Sequence, residues 1–195
     1  MLIFILITTI AASAVGYAVL NPPPSEHFFV MWILGSNGLA QNYYPNGNHL
    51  LGPGEPVNWT LGVYNHMNGL EYVVVRVKLL NSSQSGPDDS TGTPSPVVEI
   101  FEFSRILVNN ETWSIPFIWQ ILNVTPSGTS LLITGLSINQ ASLTGSLVSA
   151  TSGYNLRFVF ELWSYDETNG ALSFARSSSN PVWTQIWFNV TMAHG

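Results

Sequence analysis

The first twenty residues of the chain carry no charged side chain, and the first charge in the sequence is Glu26. Twenty residues in an α-helix rise about 30 Å, which matches the hydrocarbon core of a bilayer. Three prolines follow at positions 22–24, and they end such a helix because they lack an amide donor and fix φ. The sequence therefore predicts an N-terminal apolar α-helix over residues 1–21, a proline hinge over 22–26 and a separate domain over 27–195.

Three interpretations of residues 1–20 compete. A membrane anchor fits the length and the composition, and so does a filament-core helix of the archaeal type IV pilin kind, since such helices pack as an apolar bundle. A cleaved signal peptide would begin with a basic region, yet no Lys or Arg precedes the small-residue triplet Ala12-Ser13-Ala14. This favours a retained segment that contacts a membrane or neighbouring subunits.

The chain is weakly charged, and its charge is negative. Charged residues make up 8% of the sequence and the net charge is −6, whereas soluble domains are usually about 25% charged. A negative chain disfavours nucleic acid and anionic lipid surfaces as partners. Cysteine is absent, which excludes disulfides and thiolate metal sites such as blue copper. Protein partners and N-linked glycans are the expected cover for such a surface.

Beyond the prolines, side chains alternate with the period of β-strands. The alternation is clearest in residues 57–64, 71–80, 154–165 and 182–190. No helical periodicity persists there. About seven to nine short strands with polar turns predict an all-β domain, a two-sheet antiparallel sandwich of immunoglobulin-like architecture.

The remaining segments complete this prediction. Further strands are expected at residues 27–34, 97–103, 105–108, 113–121, 131–138 and 172–176. Pro116 lies inside one of them and indicates an edge strand or a bulge. Loops are expected at residues 41–56 and 81–96, and a hairpin-like connection at residues 65–69. Residues 139–153 are rich in small side chains and predict no strand.

Five N-glycosylation sequons occur in the domain, and none occurs in the apolar segment. Each sequon places Ser or Thr two residues after an asparagine, with no proline between them. Glycans on these residues would place the domain outside the cell. The candidate sites are Asn58, Asn81, Asn110, Asn123 and Asn189.

The last predicted strand has tryptophans on the face opposite its apolar set. Trp183 and Trp187 share that face with the sequon residue Asn189. Exposed tryptophans usually mark an interface, because Trp is enriched at interface hot spots. A second buried face, with the strand central and packed on both sides, explains the pattern equally well. Both interpretations remain open at this point.

No motif in the sequence points to catalysis or to a cofactor. There is no Gly-x-Ser-x-Gly elbow, no His-Glu-x-x-His pair and no phosphate loop. The histidines show no ligand spacing, although their sequence positions alone do not decide metal binding: His27, His49, His66 and His194. We therefore expect no enzyme activity, no cofactor and no metal site.

Several short motifs between Tyr17 and Thr125 carry a family resemblance. They are Ile33-Leu34-Gly35, Asn42-Tyr43-Tyr44-Pro45, Gly54-Glu55, Leu61-Gly62-Val63-Tyr64-Asn65-His66 and Asn110-Glu111-Thr112-Trp113. In order and spacing, this stretch is similar to an archaeal membrane-anchored family of unknown function. The resemblance implies a transmembrane segment that leads into an extracytoplasmic β-domain, and it implies no activity and no binding residues.

These observations predict a non-catalytic structural or assembly subunit at the cell surface. The protein would sit in the cell membrane with its domain outside, and it would be N-glycosylated. One alternative is a subunit of a glycosylated extracellular filament, with residues 1–20 in its core. A second alternative is an accessory subunit of a membrane enzyme complex.

Overall fold

The computed structural model describes residues 26–175 and 180–192, together with Tyr17 and Leu20. The predicted N-terminal helix and proline hinge therefore lie almost entirely outside the described residues. Among the residues that are described, no helix is both long enough and apolar enough to cross a membrane.

The described part of the chain is built from eleven strands and one short 3-10 turn at Pro45–Gly47. The strands are β1 Phe28–Leu34, β2 Leu50–Leu51, β3 Val57–His66, β4 Glu71–Leu80, β5 Phe101–Leu107, β6 Thr112–Ser127, β7 Ser130–Ile138, β8 Ala141–Thr151, β9 Leu156–Asp166, β10 Ala171–Ser173 and β11 Val182–Val190.

These strands form two sheets. The five-stranded sheet has the order β1-β3-β6-β7-β8, and the six-stranded sheet has the order β2-β11-β9-β4-β5 with β10 added beside β9. Every pair is antiparallel except β2 with β11, which is parallel. The prediction of an all-β domain with two mostly antiparallel sheets is confirmed.

Aromatic rings from both sheets meet in the core. The Trp119 ring lies 4.8 Å from the Phe158 ring and 5.0 Å from the Phe188 ring, measured between centroids. Phe117 contacts Phe160 edge-on at 5.1 Å. Each such pair adds about 0.5–1.5 kcal/mol beyond the area it buries. The predicted alternation of β9 places Phe158 and Phe160 in these ring contacts, because the even-numbered residues of β9 point inward.

The connection at residues 65–69 differs from the prediction. It joins β3 of the five-stranded sheet to β4 of the six-stranded sheet, so it crosses between sheets and is not a hairpin. The buried side chain of Asn65 holds the crossing, since its amide donates to the carbonyls of Gly69, Leu107 and Val108. The apolar faces of β3 and β4 can then meet the same core from opposite sides.

Residues 141–151 form β8, a strand that the small-residue-rich sequence of this segment does not predict. A bulge explains the weak alternation in the sequence: Ile133 pairs with Val148 and Gly135 with Thr144, so the three residues 145–147 oppose the single residue Thr134. The bulge shifts the phase of the inward side chains halfway along the strand. Residues 97–100 lie outside any strand, and β5 runs without a break from Phe101 to Leu107.

Pro116 lies where β6 has a neighbour on one side only. It pairs with Thr60 of β3, while β7 ends at Ile138 opposite Trp119. The side chain of Asn139 caps this open stretch, because it accepts from the Ile118 amide and donates to the Pro116 carbonyl. The local edge predicted from the proline is therefore present.

Gly62 allows the close approach of a large ring. A Cβ at this position would lie 2.0 Å from the indole of Trp32, which packs across the β3 backbone from β1. The glycine thus fixes how β1, the first strand of the five-stranded sheet, sits on β3.

We expect Gly62→Ala to lower the free energy of unfolding of the full chain by about 1–3 kcal/mol, because the added methyl group overpacks against Trp32. Gly69→Ala is the matched control, since a Cβ there meets nothing within 4 Å. Urea titrations of the two variants test this. Equal stabilities would show that the Trp32 contact does not constrain the sheet.

Candidate functional site

The outer face of the six-stranded sheet is covered by the chain itself. Val74, Leu80 and Val159 point away from the core, yet they are fully buried. Residues 81–100, called here the covering segment, connect β4 to β5 and contact this face of the sheet at Lys78, Glu161 and Arg157. The central part of this face, on β4 and β9, is thus buried.

A buried ion pair ties the covering segment to the sheet. Lys78 Nζ lies 2.9 Å from Glu161 Oε2, and the side chains are 4% and 0% exposed. Both charges also bind Ser95 of the covering segment: Lys78 donates to its carbonyl at 2.6 Å, and Glu161 accepts from its amide at 2.8 Å. The indole of Trp163 donates to Glu161 as well. The pair is satisfied only when the segment is in place.

Arg157 forms a second attachment nearer the sheet edge. Its guanidinium donates to the Gln185 side chain at 2.9 Å and to the Gln84 carbonyl at 2.8 Å. Its Cζ lies 4.7 Å from the centre of the Trp187 ring. Burial lowers the pKa of Arg157, but an arginine remains charged at neutral pH. The charge and the ring are held together before any partner binds.

The two tryptophans predicted as an interface have different surroundings. Trp183 is half-buried, and its indole donates to the Asp89 carboxylate of the covering segment at 2.6 Å. Trp187 is 42% exposed and rests on Arg157. Trp183 thus belongs in part to the covered layer, whereas Trp187 presents its ring to solvent at the margin of that layer.

An apolar groove adjoins Trp187. It has a volume of about 460 Å³ and lies between β1 and β11, two strands of different sheets. No charged side chain lines it. The lining residues are Met31, Trp32, Ile33, Tyr43, Tyr44, Thr184, Gln185, Ile186 and Trp187. We refer to it below as the β1–β11 groove.

Tyr43 and Tyr44 close one end of the β1–β11 groove. The Tyr43 hydroxyl donates to the Ile33 carbonyl at the edge of β1, and the Tyr44 hydroxyl donates to the Trp187 carbonyl at the edge of β11. Burial raises the pKa of Tyr44, and Tyr43 raises it further. The Tyr44 hydroxyl therefore keeps its proton and its role as a donor at any physiological pH.

The five sequon asparagines are not equally accessible. Asn58, Asn110 and Asn123 are exposed. Asn81 is half-buried and its amide donates to the Ser149 carbonyl at 2.8 Å, while the half-buried Asn189 accepts from the Asn155 amide. A glycan is attached through the amide nitrogen, so the first three sites present it more readily.

Three of the four histidines lie within the described residues. His27 and His49 are exposed, and His66 contacts the Asn110 side chain at 2.6 Å. His194 lies outside the described residues. Within the described ranges, no three His, Asp or Glu side chains come together in a group that could hold a metal ion.

The motifs that carry the family resemblance occupy structural positions. Asn65 and the 110–111 turn exchange backbone hydrogen bonds, which joins two of the motifs. A Cβ on Gly35 would lie 1.9 Å from the Gln41 carbonyl, so the turn after β1 requires glycine. These residues fix two turns of the domain.

No protein-family model matches the chain, and no curated protein matches it. Among solved structures, it is similar to the CARDB domain of a Pyrococcus furiosus protein in complex with di-metal ions, with 10% identity, a TM-score of 0.38 and coverage of 86% of this chain and 96% of that one. It is also similar to a FixG-related protein from Vibrio parahaemolyticus, with 12% identity, a TM-score of 0.32 and coverage of 83% and 95%. The archaeal membrane-anchored family stays a prediction.

We expect Lys78→Met to lower the free energy of unfolding by about 3–5 kcal/mol, because it leaves the Glu161 charge buried without its counter-ion. Arg105→Met is the control: it breaks the Arg105–Glu111 pair, in which Arg105 is 48% exposed, and should cost less than about 1 kcal/mol. Chemical denaturation of the full chain measures both.

The double variant Lys78→Met/Glu161→Gln should recover most of this loss, because a neutral amide replaces the unpaired charge. A double variant as unstable as Lys78→Met alone would show that the lysine acts through packing and not through its charge.

Proposed function

We propose that the protein is a non-catalytic structural subunit that joins an assembly at the cell surface. In this proposal, residues 1–20 hold it in the membrane and the β-domain lies outside the cell. The observation that carries the proposal is Trp187, a ring that is 42% exposed, fixed on Arg157 and next to an uncharged apolar groove.

The energetics favour a contact surface at this position. A covered tryptophan buries roughly 150–250 Å², which is enough to anchor an interface. Trp and Arg are both enriched at hot spots. The Arg157 guanidinium is already held by Gln84 and Gln185, so a partner would not have to order it. Such pre-organisation reduces the entropy lost on binding.

The chemistry of the groove also favours binding over reaction. Its titratable side chains are tyrosines, and the raised pKa of Tyr44 keeps that phenol protonated. Acid–base catalysis near neutral pH requires a group whose pKa lies close to the working pH. Apolar walls with a few fixed hydrogen-bonding groups suit recognition.

An immunoglobulin-like architecture belongs to this proposal. The order β1-β3-β6 in one sheet and β11-β9-β4-β5 in the other corresponds to strands A-B-E and G-F-C-C′ of that fold. The β7–β8 hairpin would then be an addition beside the strand equivalent to E. Domains of this architecture commonly act through their surfaces, an analogy of fold and not of site.

Electron micrographs of native material separate this proposal from its alternatives. Discrete membrane particles would support the envelope subunit, and regular fibres would support the filament in which residues 1–20 form the core. A redox-active or metal-containing complex that co-purifies with the chain would support the accessory subunit of a membrane enzyme.

We expect Trp187→Ser to abolish assembly and to leave the chain folded. Its ring is partly exposed, so the loss of stability should stay below about 1 kcal/mol, the value of one exposed cation–π contact. Co-purification of partners measures assembly, and thermal melting measures stability. Phe188→Ser is the control, because Phe188 is fully buried and its truncation should cost about 3–5 kcal/mol.

If Trp187→Ser unfolds the chain as Phe188→Ser does, Trp187 belongs to the core and the proposed surface is wrong. If it leaves both stability and assembly unchanged, the contact lies elsewhere on the domain.

We also expect N-linked glycans on the exposed asparagines Asn58, Asn110 and Asn123, with lower occupancy at the half-buried Asn81 and Asn189; at Asn81 the amide nitrogen is also engaged with the Ser149 carbonyl. Glycopeptide mapping of native protein measures each site. Five bare sites would contradict the exterior placement, and full occupancy at Asn81 would contradict the ranking by accessibility.

A further inference from the structure

The backbone edge of β11 is open along the β1–β11 groove. β11 pairs with β9 through residues 182–188, whereas β2 pairs only with Asn189 and Val190 on its other side. The amides of Asn189 and Thr191 donate toward β2. Because successive residues of a strand point their backbone groups to opposite sides, the groups of Trp183, Gln185 and Trp187 face the groove.

No strand of the described residues uses these groups. β1 forms the opposite wall of the groove, yet β1 and β11 are not neighbours in either sheet and exchange no backbone hydrogen bond within the described ranges. The Trp187 carbonyl is capped by Tyr44. This leaves a run of about five residues, or roughly 16 Å, along which another strand can pair.

The other edges of the two sheets carry protective features that natural proteins use against unwanted pairing. β5 has charged residues, Glu102 and Arg105. β8 has the bulge at residues 145–147, and the Asn81 amide caps its Ser149 carbonyl.

The facing edges of β1 and β11 have no charge and no bulge, and their caps are limited to one carbonyl each, Ile33 by Tyr43 and Trp187 by Tyr44. Their registers with β3 and β9 are regular, and neither strand contains a charged residue or a proline. An edge that is straight, uncharged and lined by apolar side chains is suited to accept a strand.

We infer that the β1–β11 groove binds an extended, uncharged strand of a protein partner. This strand pairs with the open edge of β11, on the same side of β11 as β2. This names the kind of partner for the proposed assembly and rests on that proposal. The backbone of the partner would bond with Trp183, Gln185 and Trp187. Its alternate side chains would enter the apolar part of the groove, against Met31 and Ile186.

The lining decides the chemistry of the occupant. Peptide groups along the β11 edge match a polypeptide backbone, and they would stay unpaired against a lipid chain. The walls carry no charge, so a charged side chain that enters the groove would be buried without a counter-ion. Strand addition gains affinity from main-chain hydrogen bonds and specificity from alternate side-chain pockets.

Hydrogen exchange at single residues tests this inference on the native assembly and on the dissociated full chain. We expect the amides of Trp183, Gln185 and Trp187 to exchange at least about tenfold more slowly in the assembly. The amides of Thr184 and Ile186 already face β9 and should change much less. Covering of the edge without pairing would give the same alternation, and the N-methylated peptide described below separates the two cases.

A variant provides the second arm. Thr184→Lys places a charge in the groove, where its long stem can still reach solvent, and should reduce assembly at least about tenfold. Ser104→Lys on β5 is the matched control and should leave assembly unchanged. Exchange at β9 amides shows whether each variant is folded. Unchanged assembly with folded Thr184→Lys would overturn the inference.

An end-blocked peptide, Thr-Val-Thr-Val-Thr, tests the groove without the native partner. At millimolar concentration it should slow exchange at the same three amides of the isolated chain. The same peptide with N-methyl groups on its pairing face should bind about tenfold or more weakly, because it cannot donate hydrogen bonds. Equal binding, or no binding of either peptide, would overturn the inference.

The outcomes keep the two proposals apart. If the assembly protects β5 or β8 and leaves β11 unchanged, the groove is not the contact, but the protein is still an assembly subunit. If no assembly exists and the peptide binds in the expected pattern, the proposed function fails and the groove stands. If a lipid or another small apolar molecule occupies the groove and protects no amide, the inference that a strand binds there is wrong.

Discussion

The buried pair of Lys78 and Glu161 is the interaction on which the layered structure depends. Two charges taken out of water are stable only if the remaining hydrogen bonds are also made. Here those bonds come from Ser95 in the covering segment. The polar chain at residues 81–100 therefore packs over β4 and β9, although it has few apolar side chains. The second attachment, Arg157, holds the same segment nearer to β11 and leaves Trp187 at the margin.

Much of the fold could be predicted from the period of the sequence. Strands β3, β4, β9 and β11 alternate cleanly because one side of each faces the aromatic core, and the structure keeps these faces. β8 could not be found in this way, since its bulge breaks the phase. The crossing at residues 65–69 was missed because a turn motif shows that the chain turns but not which sheet it enters. Asn65 makes that choice through contacts more than forty residues away.

The site was predicted only in part, for a related reason. Alternation places Trp183 and Trp187 on one face, but a strand pattern does not show what lies above that face. The covering segment contacts Trp183 through Asp89 and stops short of Trp187. The groove was invisible in the sequence, since it is formed by backbone edges of strands about 150 residues apart. Its one local signal was the pair Tyr43-Tyr44 in a loop, where buried phenols need acceptors and find them on the two strand edges.

The position of those tyrosines links β2 to the open edge of β11. The loop of residues 41–49 leads directly into β2, which pairs with the end of β11. The same loop thus leads into β2, which pairs with one end of β11, and it also caps the Trp187 carbonyl, where the unpaired edge of β11 begins. A strand bound beside Trp183 and Gln185 would complete the row that β2 starts, with the Trp187 ring and Arg157 on its outer side. The exposed Trp187 ring and the open β11 edge would then both contact the same bound strand. This explains why the chain leaves both uncovered at the same place.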